Sequence, residues 1–220
     1  DEWRGLDRFE ARKRLVDQLQ IKNFLAKVED YTHVVPYGDR SYEVIEPFLT
    51  DQWYVDAKKL SIAAIKNVKE GKTKFIPSNW SKTFYEWMNN IQPWCISRQL
   101  WWGHRIPAWY TSNGEIIVAS SENEALKIAK EKYKTETISQ DEDVLDTWFS
   151  SALWPFTTLG WPNEENDLSK FYPTNLLITG FDIIFFWVAR MMMMGLYFQK
   201  NIPFSEIYIH ALVRDENGQK

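Results

Sequence analysis

Apolar residues recur every three or four positions in some stretches of the chain and every second position in others, and the two periods divide it into elements. Leu6, Phe9, Ala11, Leu15, Val16 and Leu19, with charges between them, predict an amphipathic helix from about Asp7 to Gln20. Val34, Val35, Val44 and Ile45 flank Pro36-Tyr37-Gly38-Asp39-Arg40, the pattern of a short hairpin or strand–turn–strand, with Phe48 to Tyr54 continuing as a strand. Leu60, Ala63, Ala64, Ile65 and Val68 predict a second helix over Lys58 to Lys69, stopped at Gly71. From Trp80 to Arg98 the residues Trp80, Phe84, Trp87, Met88, Ile91, Trp94 and Cys95 keep a helical step. Pro93 interrupts that face, so the helix breaks there or a second one begins.

Ile106 to Trp109 and Glu115 to Ala119 read as a strand pair around Ser112-Asn113-Gly114, followed by a polar helix from Glu122 to Lys132. Asp141-Glu142-Asp143 precedes Val144 to Phe149, which puts acidic residues where a helix N-terminus would welcome them. A cap and a functional role both remain open for that run. Asn175 to Thr179 reads as a buried strand, followed by Gly180-Phe181-Asp182, a long apolar helix through Met194, and a second apolar run from Ile207 to Val213. Strand, helix and strand in that order make a right-handed parallel crossover, so an open α/β sheet is the architecture expected of the C-terminal half.

With 220 residues the chain can hold one large domain or two small ones, and 45% hydrophobic with 25% charged residues is a soluble globular composition. Lys plus Arg number 26 against 30 Asp plus Glu, a net charge of −4, so no whole-domain basic signature for nucleic acid exists. Contact with RNA or phosphate must come from a local patch or from further parts of a longer protein. A lone Cys95 cannot form an intrachain disulfide, which fits a reducing compartment. Leu176 to Phe198 is the most apolar stretch, yet Asp182 and Arg190 lie inside it, so a buried strand and helix explain it better than a membrane span. The start at Asp1, without an initiator Met, leads us to expect a piece of a longer protein. Twelve Trp residues are expected as core or cleft walls.

Two stretches carry candidate chemistry. Gly180-Phe181-Asp182 falls where a parallel strand ends and a helix begins, the edge at which open α/β sheets take ligands. There a glycine permits close approach of a base or sugar and a carboxylate can accept from ribose hydroxyls; a turn glycine with a capping Asp182 is the competing structural reading. Trp94 to Tyr110 gathers four Trp, two Arg and a His. Arg98 and Arg105 can pair with phosphate or carboxylate and Trp101 or Trp102 can wall an apolar pocket, or the same residues can pack as cation–π pairs beneath a loop.

The run Ser97-Arg98-Gln99-Leu100-Trp101-Trp102-Gly103-His104-Arg105-Ile106-Pro107-Ala108-Trp109-Tyr110, together with Asp141 to Ser151, Thr179 to Trp187 and Val213-Arg214-Asp215, resembles the bacterial valyl-tRNA synthetases over nearly the whole chain. The resemblance implies an α/β fold: the second half of a class I synthetase Rossmann-like parallel sheet with its helices. Residues 1–30 then look like the tail of an inserted editing domain, 31–75 like the connecting strand, turn and helix, and 76–220 like the second half of the catalytic domain. The implied activity is ATP-dependent formation of valyl-adenylate and transfer of valine to tRNA, with proofreading of threonine by the inserted domain. The chain alone, without the family's His-Ile-Gly-His motif and with only the first residue of its Lys-Met-Ser-Lys-Ser motif, is expected to be inactive.

By position in the motifs, Trp102 and Trp148 look like walls of the valine pocket, with Trp101 an uncertain neighbour and Asp146 an acidic residue near the adenylate. Gly180 and Asp182 look like the ribose site, while His210, Leu212 and Val213 match the strand end bordering adenine. Lys220 looks like the start of the family's Lys-Met-Ser-Lys-Ser loop. The resemblance further implies ATP with Mg2+, valine and valine tRNA as partners, a monomeric parent and a cytoplasmic location. Some relatives hold zinc through cysteines around the turn at Gly38 and Ser41; those positions lack thiols, so no zinc is expected there. A nucleotide- or RNA-binding module without ligase activity is the alternative. Physically, rigid Trp walls exclude isoleucine but reject isosteric threonine poorly, which is why proofreading is expected. Activation needs positioning and charge stabilisation rather than a protein nucleophile, so Ser150, Ser151 and Cys95 are read as structural.

Overall fold

In a computed structural model, which describes residues 3–39, 41–163 and 166–219, Asp7 opens helix α1 (Arg8–Ile21) by accepting from the backbone N–H groups of Phe9 and Glu10. Two compact units follow from the contacts, Asp1–Thr50 and Asp51–Lys220. Within the first, α1 is tied to the turn that follows it by polar contacts: Arg8 donates to the Val44 carbonyl at 2.7 Å and Arg12 pairs with Glu46 at 2.6 Å. The turn expected around Pro36 closes through a Tyr37–Val44 antiparallel bridge, with Gly38 N–H donating to the Glu43 carbonyl. Arg40 lies outside the described residues. The strand expected from Phe48 to Tyr54 is not formed as such: only β1 (Tyr54–Val55) is regular. Phe48 and Leu49 lie before that strand begins; Leu49 is 98% exposed, and no described side chain of the first unit is buried.

In the second unit, α2 (Ala57–Lys69) buries Ala57, Ser61, Ala64 and Val68, spaced by four, three and four, and ends before Gly71 at φ +72°. Next come β2 (Lys74–Ile76) and α3 (Trp80–Asn89), which buries Phe84 and Met88 one turn apart. Of the two readings at Pro93 the break holds: the helix ends at Asn89, short of the Arg98 to which the helical step extends, and no second helix begins; β3 (Trp94–Cys95) pairs antiparallel with β1, and β4 (Ser97–Arg98) with β8 (Val144–Leu145). The proline holds the residue before it in extended backbone, and Ile96 N–H is taken by the Trp53 carbonyl at 2.8 Å. The apolar spacing there serves alternating faces of short strands.

The expected strand pair is β5 (Ala108–Thr111) against β6 (Ile116–Val118), to which β7 (Ile138–Gln140) adds an unanticipated third strand on the far side of β5. Between them lies α4 (Glu122–Ile128), continued by a π turn, Ala129–Tyr133. The acidic run at 141–143 leads into β8 rather than a helix. Helix α5 (Thr147–Thr157) begins later, with Asp146 as its N-cap.

After α6 (Asn166–Phe171), β9 (Thr174–Gly180) leads through a 3-10 turn (Phe181–Ile183) and a π segment (Ile184–Ala189) into α7 (Arg190–Phe198) and β10 (Phe204–His210). The second strand stops at His210, short of the expected Val213. β9, β10 and β2 form a parallel sheet with β10 central and His210 opposite Gly180. One face, with Leu177, Thr179, Ile207 and Ile209, is packed; Leu176, Ile178 and Tyr208 on the other remain exposed. The apolar stretch Phe181–Phe198 is half buried in this core, and its Arg190 faces a buried carboxylate.

Pro155 sits inside α5, where its missing N–H leaves the Ser151 carbonyl without its helical donor. Trp187 fills that vacancy, its indole N–H donating to Ser151 O at 3.1 Å. A sequence-level helix defect thereby becomes the contact that fixes the π segment against α5.

Candidate functional site

At the C-terminal edge of the parallel sheet, Gly180 has ordinary extended dihedrals, so what its missing side chain provides is space beside the Asp182 carboxylate, which would have to shift to admit a Cβ. A Cβ there would lie 2.7 Å from Asp182 Oδ1, 3.6 Å from Leu212 Cδ2 and 3.7 Å from His210 Cε1. Four of the residues singled out from the sequence are thus gathered into one cradle. His210 Nδ1 is 2.6 Å from the carbonyl of Ala211, which can only accept, so that contact takes an Nδ1–H donor. Val213 follows on the exposed side, and Lys220 lies outside the described residues. A carboxylate beside a floor without a side chain can accept from a pair of vicinal hydroxyls.

A second group lies around Asp146, which is 6% exposed. Its Oδ2 accepts from Trp94 Nε1 at 2.8 Å and faces Arg98 and Arg190 at 3.4 Å each, while Oδ1 takes the Trp148 N–H at 3.4 Å. The carboxylate therefore links β3, β4, α5 and α7. Burial pushes the Arg190 pKa down to about 10, Asp146 holds it up and Arg98 lowers it, so at neutral pH the guanidinium stays charged.

Trp148 is half-buried and stacks on Phe186, ring centroids 5.9 Å apart and 29° from parallel. Trp102 is 92% exposed and Trp101 wholly so; no ring contact joins Trp102 to Trp148 among the described residues. Their loop is pinned at Gly103, at φ +151°, where a Cβ would come within 2.9 Å of Val144 Cγ2.

The arginines of the Trp-rich run serve as framework. Arg105 donates to the Gln140 and Asp141 carbonyls, and Arg98 to those of Cys95 and Ser97. Asp141 is the residue that sequence reasoning undervalued: it accepts from Tyr110 OH at 2.6 Å and Trp53 Nε1 at 2.8 Å, and from its own loop at Asp143 N–H. Burial raises its pKa, but those hydrogen bonds and the Arg105 charge outweigh burial and hold it below the usual carboxylate range. The Asp-x-Asp spacing, an Asx-turn signal, was the one local clue.

A cavity of about 570 Å3 beside α2 and α7, lined by Asp56, Lys59, Phe149, Met194 and Tyr197 among others, includes none of these candidates. Among the described residues no group of three or more His, Cys, Asp or Glu is placed to hold a metal ion.

Residues 11–220 match the family model described as tRNA synthetases class I (I, L, M and V). The valine–tRNA ligase of Bradyrhizobium diazoefficiens is 58% identical over the whole chain, which covers 25% of that protein. That of Pelagibacter ubique is 61% identical, again over the whole chain and 25% of the relative. The chain thus spans about a quarter of the length of these curated relatives. Among solved structures, Mycobacterium tuberculosis methionyl-tRNA synthetase bound by methionyl-adenylate is similar, with a TM-score of 0.56 at 14% identity, over 84% of this chain and 31% of that one. At that identity the likeness is one of fold.

Proposed function

This chain belongs to the class I tRNA synthetases, and we propose that it forms part of a valine–tRNA ligase. Whole-chain similarity to valine–tRNA ligases supports the specificity. The structural observation that carries the reading is the cradle of Gly180, Asp182, His210 and Leu212 at the sheet edge. In this reading the ribose of ATP rests on Gly180 with its hydroxyls donating to Asp182, and adenine borders the segment from His210 through Leu212 to Val213. The side chain of valine lies against Trp148, with Trp102 closing the pocket and Asp146 anchoring α5 behind it.

A valine carboxylate oxygen then attacks the α-phosphorus of ATP, forming the mixed anhydride and releasing pyrophosphate. A hydroxyl of the tRNA 3′-terminal ribose next attacks the activated carbonyl, releasing AMP. This chain's residues bind and orient the reactants, and none forms a bond to them. Magnesium accompanies the nucleotide phosphates in this proposal and has no protein-only site on the described residues. Residues 1–30 are proposed as the tail of an editing domain that clears threonine, 31–75 as the connector, and 76–220, with Lys220 as the first residue of the Lys-Met-Ser-Lys-Ser motif, as the catalytic half. The whole enzyme is proposed to act as a cytoplasmic monomer. ATP–pyrophosphate exchange on the longest polypeptide of the gene, with valine, isoleucine and threonine, tests the reading: valine first and threonine next is expected, and preference for another amino acid refutes it.

A further inference from the structure

Three consecutive residues of the π segment each meet a different aromatic partner. Phe185 stacks on Trp87 at 5.0 Å, Phe186 on Trp148 at 5.9 Å, and Trp187 leans on Trp154 at 5.8 Å. Such fanning suits a π turn, a form frequent at functional sites. Phe185 and Trp187 are half-buried and pack against the core; Phe186 remains 44% exposed. Its position is also distinct, four residues after Asp182 and four before Arg190 on the same helical run.

Arg190 completes a closed circuit with it. The guanidinium carbon lies 5.5 Å from the Phe186 ring centroid and 4.0 Å from that of Trp94, and its Nη1 reaches Asp146 at 3.4 Å. Asp146 accepts from the backbone N–H of Trp148, and the Trp148 indole stacks on Phe186. Carboxylate, indole, phenyl and guanidinium thus each restrain the next. A stacked partner fixes the plane of an indole, and a guanidinium overlies rings with a planar face and several donors left for a carboxylate, a geometry that the compact ammonium of lysine lacks.

We propose that Phe186 is a further specificity-determining wall of the amino-acid pocket, and that Arg190, held by Asp146, positions the Trp148–Phe186 pair. The inference rests on the valine-pocket reading of Trp148 and deepens it. Phe186, stacked on Trp148, adds a second apolar ring beside it and sets the tilt of the indole, and with it the depth open to a side chain. Losing the ring frees the indole to tilt and makes room for the extra methylene of isoleucine.

The test is ATP–pyrophosphate exchange on the longest polypeptide of the gene, comparing wild type with Phe186→Ala, Phe186→Leu, Phe186→Tyr and Arg190→Lys. In Phe186→Ala the valine-over-isoleucine ratio of kcat/KM should fall at least about tenfold, the scale at which one methylene is sensed. KM for valine should rise and KM for ATP stay unchanged, and Phe186→Tyr should restore the ratio. Arg190→Lys should move the ratio in the same direction as Phe186→Ala. Should the alanine variant not fold, Phe186→Leu decides, since it keeps apolar volume but loses the stack. An unchanged ratio in a folded variant, or equal losses for valine and ATP, overturns the role of Phe186. Wild-type protein without valine-dependent exchange refutes the underlying reading instead.

Discussion

The unit spanning Asp1–Thr50 and the unit spanning Asp51–Lys220 use the same kinds of sequence pattern to opposite ends. Helix α1 has an apolar period, an N-cap and an i,i+4 ion pair between Glu10 and Arg14, yet none of its side chains is buried. Helix α2 has a similar period, and its apolar face is buried against α7 and α3 in the core shared with α5 and the parallel sheet. Periodicity therefore reports that a helix forms and which face is apolar; whether that face becomes core depends on a partner surface. The first unit is held by caps and exposed charges, the second by burial.

That contrast can be broken in order of expected effect. Phe156→Ala, at a fully buried position in the last turn of α5, should cost about 3–5 kcal/mol in urea unfolding followed by Trp fluorescence. Leu15→Ala in α1, at a half-exposed site, should cost within about 0.5 kcal/mol; equal costs would erase the distinction. Asp146→Ala should destabilise by about 3 kcal/mol, because it strands Arg190 in a buried site, whereas Glu46→Ala, which frees the exposed Arg12, should cost about 0.2–1 kcal/mol. Asp7→Ala should lower stability of α1 by about 1 kcal/mol, read as lost helical signal in far-UV circular dichroism without a shift of the core transition.

The smallest effect is a pH limb. The Asp141 pKa is depressed in the folded chain, so its contribution is present above the unfolded value of about 3.9 and lost as pH falls through the lower folded value. Asp141→Asn should flatten the loss of stability of the β5–β7 region below about pH 4, measured by unfolding at stepped pH; an unchanged slope would remove Asp141 from that role.

Much of the fold could be read where one period ran uninterrupted. The faces of α2 and α3, the parallel pair β9 and β10, and the β5–β6 hairpin follow from spacing together with Gly71 and Gly114. The segment from Pro93 to Arg98 misled because a strand pair only two residues long leaves no alternation to detect, so Trp94 and Cys95 looked like a continuation of α3. Asp141 was obscure for another reason: its partners Trp53 and Tyr110 lie 88 and 31 positions away, and no local pattern encodes that convergence. In the candidate site, Gly180 and Asp182 stood out from the strand–glycine–acid order. Phe186 did not, since an aromatic in an apolar helix reads as core until its exposure is known. The burden on Asp146 was equally hidden, because Arg98 lies well before it in the chain and Arg190 comes 44 positions after it.

The π segment also turns residue number into a conserved quantity of the helix. Rewinding Ile184–Ala189 as an ordinary α-helix at unchanged length would gain by hydrogen-bond geometry alone. Every downstream side chain would then rotate by about 100° relative to those before it, carrying Arg190 away from Asp146 and the buried methionine run Met191–Met194 out of its packing. The wide turn and the extra residue it holds compensate each other, so a substitution in this stretch disturbs one contact, whereas a one-codon insertion disturbs the phase of all of them. Added length should therefore be tolerated in the exposed Ser112–Glu115 turn and refused here.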